Sequence, residues 1–203
     1  AVREQFVSQN VAHKNALQAL QRKVIRTSFA EQAYLHLIEQ LKKQIRAIDT
    51  EVRRLIESDP TFKEMLLLLL SVPGVGLLLA SHFILLAQFS LEYKLLASFL
   101  GIAPHEHSSG TSVYKPATSR HFGPPAIRKL LYLAACSVCT HRPQFRTYLA
   151  RKTQQGKPAR LVLNNVENKL IRIMCAVLSS KTAFIESYHS VQPLALQKAL
   201  TVS

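Results

Sequence analysis

Residues 65–91 read MLLLLLSVPGVGLLLASHFILLAQFSL, a run without one Lys, Arg, Asp or Glu. As a single helix it would be long enough to span a bilayer. Val72-Pro73-Gly74-Val75-Gly76 sits near its middle, however, and a proline followed by two glycines stops a helix and turns the chain. The run therefore predicts two apolar helices, one through Leu66–Leu70 and one over Leu77–Gln88, each too short to cross a membrane alone. A membrane hairpin is the alternative to a pair buried inside a helical domain. The turn also has the pattern of a helix-hairpin-helix, in which amides at the start of the second helix can face a phosphate. Gly74 and Gly76 are candidate phosphate-binding positions on that reading. A structural turn between packed helices explains them equally well.

Upstream, Tyr34, Ile38, Leu41, Ile45, Ile48, Val52 and Leu55 alternate steps of four and three, the spacing of a heptad seam. His13, Leu17, Leu20 and Val24 repeat it earlier. Ser28-Phe29-Ala30-Glu31 has the form of a capping box, so a second helix is expected to begin there. Two such helices fold back on each other or pair with another chain. Asp59 is placed to cap the next helix, with Pro60 in its first turn.

Downstream, Ser90 is placed to cap a helix over Leu91–Leu100. Residues 101–125, rich in Gly, Pro, Ser, Thr and His, read as a polar loop with a short strand at Thr111–Tyr114. Helices are expected again over Ala126–Cys139 and Arg160–Leu178, with a turn at Gln154-Gln155-Gly156-Lys157-Pro158. The fold class is mainly α. A helical coiled coil or hairpin over 1–58 leads into a compact helical domain over 59–185, which holds the hairpin turn and the polar loop; a tail covers 186–203. Hydrophobic residues make up 48% and Trp is absent, so the core must be largely aliphatic.

The formal net charge is +14. Residues 1–100 carry 12 Lys/Arg against nine Asp/Glu, a net of +3, whereas residues 101–203 carry 14 against Glu106, Glu167 and Glu186, a net of +11. An excess concentrated in one half suits a polyanionic partner, DNA or RNA. Three cysteines and a polar N-terminus argue for a reducing cytoplasm. Cys136 and Cys139 form C-x-x-C with His141 beyond, but a zinc site needs four ligands, usually two such pairs, and Cys175 stands alone. Buried thiols are the expectation, with no metal bound by this chain itself.

His105-Glu106-His107-Ser108-Ser109-Gly110-Thr111-Ser112 is the most polar part of an apolar region, and Lys115, Arg120, His121, Arg128 and Lys129 follow it. Cations in such a place can hold a phosphodiester and offset charge in its transition state. By its own chemistry, Ser109 is still an ordinary loop serine.

A resemblance changes its weight. Residues 70–76 (LSVPGVG), 99–104 (FLGIAP), 109–113 (SGTSV), Gly123 and 128–135 (RKLLYLAA) follow one another as in a known family, with Gly156-Lys157-Pro158 and Asn168-Lys169-Leu170 beyond. Together they resemble the C-terminal domain of the insertion sequence 110/116/902 transposases, RNA-guided serine recombinases, over about residues 66–182. The resemblance implies that Ser109, and not Ser108, attacks a DNA phosphodiester and forms a phosphoserine link. It also implies a RuvC-like domain whose four acidic residues bind magnesium and meet the serine between subunits. A structured guide RNA pairing with donor and target DNA, and a coiled-coil connector matching the heptad segment, are implied as well.

The sequence departs from that pattern. The acidic domain is expected to be missing, the chain beginning about where the connector should. Arg120-His121 stands where the family has a Ser/Thr-Lys pair, and Pro124 replaces an Asn. Two readings follow. In the first, the chain is a transposase fragment of a prokaryotic, nucleoid-associated cytoplasmic protein, with Ser109 as nucleophile and activity that needs a RuvC-like domain. In the second, it is an inactive remnant that binds nucleic acid and self-associates through its heptads into a homo-oligomer.

Overall fold

The computed structural model describes residues 2–23, 27–109, 113–119 and 123–186. Among them the chain is mainly helical. Helices α1 (Val2–Gln21) and α2 (Ser28–Glu57) run antiparallel against each other. Arg3, at the start of α1, donates two hydrogen bonds to Asp49, at 2.6 and 3.1 Å, near the end of α2. His13 meets Tyr34 with ring centroids 5.9 Å apart. Within the chain, the two heptad helices thus fold back on each other. α2 begins at Ser28 with Thr27 as its N-cap, and no side chain makes the cap bond that a capping box would supply.

Along α2, Ile38 is buried and Tyr34, Leu41, Ile45, Ile48 and Val52 are half-buried. The seam then moves: Leu55 is 56% exposed, and Ile56 packs against the main core instead. A straight helix turns once per 3.6 residues, so a stripe repeating every 3.5 drifts off its face unless the helix supercoils.

α3 (Pro60–Leu70) and α4 (Leu77–Ala87) are the two halves of the apolar run. Asp59 caps α3, accepting from the amides of Thr61 at 2.8 Å and Phe62 at 3.1 Å. Leu66, Leu69, Leu79, Ala80, Phe83, Ile84 and Leu86 are buried, so the run is core. Among the described residues no helix is long and apolar enough to cross a membrane. α5 (Tyr93–Phe99) starts two residues later than expected, with the Glu92 amide donating to Ser90 Oγ at 3.0 Å.

The polar loop is a correction. Pro104–Ser109 (β1) and Val113–Ser119 (β2) form an antiparallel two-stranded ribbon. The strand expected at Thr111–Tyr114 overlaps only the start of β2; Thr111 and Ser112 lie outside the described residues. The prolines that suggested a loop are compatible with strands here. Pro104 opens β1, and Pro116 falls where the register slips, two residues of β2 facing Glu106 alone. Each strand of a two-stranded ribbon is an edge, where a missing amide costs least.

α6 (Pro125–His141), α7 (Pro143–Gln154) and α8 (Ala159–Ser180) close the domain. α7 is not expected from residue spacing; it has Pro143 in its first turn and rests Phe145, Tyr148 and Leu149 on the core. α8 is the central helix, burying Val162, Val166, Leu170, Ile171 and Met174 among others. Beyond it, the Phe184 amide donates to Ser71 Oγ at 2.8 Å, tying residues 182–186 to the end of α3. Cys139 and Cys175 are buried and Cys136 half-buried, all as free thiols. Burial raises the Cys139 thiol, with Cys136 adding to it, and pushes Cys175 up to about 11.

Candidate functional site

The ribbon is held at its base. Two residues past α5, Gly101 has a φ of +67° that lets the Ile102 and Ala103 amides turn back onto Ala97 O, at 3.0 and 3.1 Å. Ile102 is buried, and its carbonyl accepts from Asn164 Nδ2 and Asn168 Nδ2 of α8, each at 3.0 Å. Asn168 Nδ2 also donates to Asn164 O at 3.0 Å, so both its protons are engaged. On the return side, Gly123 has φ +103°, and a Cβ there would lie 2.5 Å from Phe99 O and 2.9 Å from Leu100 C. Only glycine lets the chain re-enter the domain across the end of α5.

Ser109 is the last residue of β1, its backbone paired with Val113 at the far end of the ribbon. Five residue steps at ~3.3 Å put it about 16 Å from Pro104. Lys115 lies in β2 opposite His107. Arg120 and His121 fall outside the described residues. Arg128 and Lys129 are in the first turn or so of α6, Arg128 half-buried and Lys129 exposed. Arg128 and Lys129 thus sit on α6, while Ser109 and Lys115 belong to the ribbon. Ser109 is at the tip, whereas α6 begins two residues after Gly123, beside the base.

Gly74 and Gly76 separate in role. Gly74 has φ +80°, and a Cβ on it would meet Val138 Cγ1 at 2.7 Å and Ala134 O at 3.0 Å, so contact with α6 requires it. Gly76 is the N-cap of α4, with nothing within 4 Å of its would-be Cβ. The amide end of α4 opens onto a depression of about 360 Å³ shared with the Arg3–Asp49 pair and several leucines.

Sequence reasoning missed Glu167. It is 7% exposed on α8, and burial raises its carboxyl to about 7 against the opposing charges of Arg160 and Arg128. Arg160 lies over the Tyr132 ring at 4.9 Å. The signal in the sequence was position: in α8, Val162, Val166, Leu170 and Met174 mark the buried stripe, and Glu167 adjoins it. Among the described residues no three of His, Cys, Asp and Glu come close enough together to hold a metal ion.

Residues 66–150 match the model of the family described as Transposase IS116/IS110/IS902. A pilin gene-inverting protein of Moraxella bovis is 28% identical over 149 residues, 71% of this chain and 46% of that protein. A 43.6 kDa protein of insertion element IS110 from Streptomyces coelicolor is 29% identical over 148 residues, 71% of this chain and 35% of that protein. A probable family 20 transposase of Pseudomonas aeruginosa is 27% identical over 157 residues, 73% of this chain and 46% of that protein. The match thus spans less than half the length of each relative. Over residues 66–150 the chain is similar to a transposase domain of the IS116/IS110/IS902 family.

Proposed function

We propose that the chain takes part in DNA transposition or site-specific inversion, with Ser109 as the nucleophile on a DNA phosphodiester. The family match over 66–150 carries this reading, and the relatives named as a transposase and a gene-inverting protein support it. Ser109 Oγ forms a bond to phosphorus, one deoxyribose oxygen leaves as a hydroxyl, and the serine proton passes to it. One phosphodiester replaces another, so the bond energy is conserved for rejoining. A serine hydroxyl near its free pKa attacks poorly and needs activation. The resemblance supplies the activation in this reading: a RuvC-like acidic site acting on the same DNA, directed by a structured guide RNA.

The test is a nicked suicide substrate that traps protein–DNA adducts, with a RuvC-like domain added in trans. Wild type forms adducts, Ser109→Ala forms none, and the two bind DNA equally. The position of Ser109 at the ribbon tip, away from α6, favours one alternative: a nucleic-acid-binding, self-associating module without catalysis. That alternative prevails if wild type yields no adduct even with the acidic domain present.

A further inference from the structure

Between α7 and α8 lies a groove of about 430 Å³, within the usual size of small-ligand pockets. Its floor is aromatic: Phe145 and Tyr148, half-buried on α7 and one turn apart. Its rim is polar. Asn165, Lys169 and Arg172 stand at i, i+4 and i+7 on one face of α8, and Gln144 faces them from α7. The Arg172 guanidinium carbon lies 4.5 Å from the centre of the Tyr93 ring. Lys169 and Arg172 pair with no carboxylate among the described residues, and the side-chain amides of Gln144 and Asn165 have no hydrogen-bond partner there. From Pro143 to Arg172 the sequence has Arg146, Arg151, Lys152, Lys157, Arg160, Lys169 and Arg172 against a single acid, the buried Glu167.

We propose that this groove binds an unpaired nucleotide of a single-stranded nucleic acid, base against Phe145 and Tyr148, phosphate on Lys169 and Arg172. An aromatic floor offers a stacking face that any base can use, and free amides can reach a base edge. Clustered cations without acids supply the backbone contact. A base inside a duplex is shielded by its neighbours and cannot enter a concave slot. The ribbon base is adjacent, since Asn168 lines the groove and also holds the Ile102 carbonyl. Ser109 takes no part, so this site and the strand-attack reading fail independently.

The chain has no Trp, so Tyr148→Trp introduces a sole tryptophan reporter at the floor. Its fluorescence is titrated with a 15-mer of deoxythymidine, a 15-mer of uridine, a duplex of the same length, and polyglutamate of matched charge. Quenching by either single strand, and not by the duplex, supports the proposal; the stronger of the two identifies DNA or RNA as its source. Lys169→Gln with Arg172→Gln, both at the rim, should weaken single-strand binding about tenfold, with duplex affinity changed less than about twofold. Absence of quenching by both single strands overturns the proposal. So does equal quenching by the duplex, or quenching by polyglutamate alone, which would assign the groove to an acidic peptide.

Discussion

At Gly123 a methyl group has nowhere to go. The left-handed φ and the Phe99 carbonyl 2.5 Å from any Cβ act together. Gly123→Ala should therefore cost roughly 2 kcal/mol or more in urea unfolding. Gly156 shares a positive φ of +77° but has open space around it, so Gly156→Ala should cost only about 1 kcal/mol, its backbone strain. Equal losses would show that the crossing over α5 is not tight. Glu167 makes a pH prediction. Its folded value of about 7 lies above the ordinary 4.5, so the folded state holds the proton more tightly. Stability then falls as pH rises from about 4.5 through about 7 and levels off above. Glu167→Gln should remove on the order of 2–3 kcal/mol of that fall. Identical pH slopes in the two proteins would dismiss the buried carboxyl as its source. Cys175, pushed up to about 11, should resist alkylation at pH 8 until the protein unfolds, while half-buried Cys136 reacts first.

Among the elements, the α2 seam separates a pattern from its execution. Leu55→Ala should change stability by less than about 0.5 kcal/mol, and Ile56→Ala should cost about 1–2 kcal/mol, because only Ile56 reaches the core. The reverse order in chemical denaturation would restore the strict heptad. The central helices were legible because their cause is local: an apolar run, a Pro-Gly turn, a capping Asp59. The ribbon was not. Pro104 and Pro116 are compatible with strands only at edges, and a two-residue-on-one slip at Glu106 breaks the alternation a strand is recognised by. α7 escaped for another reason: only Phe145, Tyr148 and Leu149 anchor it, and its other faces are polar. Ser109 owes its candidacy to the resemblance, whereas the Phe145–Tyr148 groove joins two helices whose facing cannot be read from either alone.

Over the whole molecule, charge and apolar surface are distributed unevenly. The +11 half carries α6, α7 and α8, so affinity for any oligonucleotide should fall steeply between about 50 and 200 mM salt, roughly as the number of phosphates neutralised. A salt-independent affinity in fluorescence anisotropy would argue against phosphate contacts. The ribbon is anchored to the helices at its base, through Ile102 and Gly123. Leverage follows. For an arm of about 16 Å, a tilt of 10° at the base sweeps the serine through about 3 Å, a whole bond-forming distance. On the proposed strand-attack reading, a serine mounted this way is aimed only when a second body grips the far end. On that reading, the chain without such a grip should form no DNA adduct.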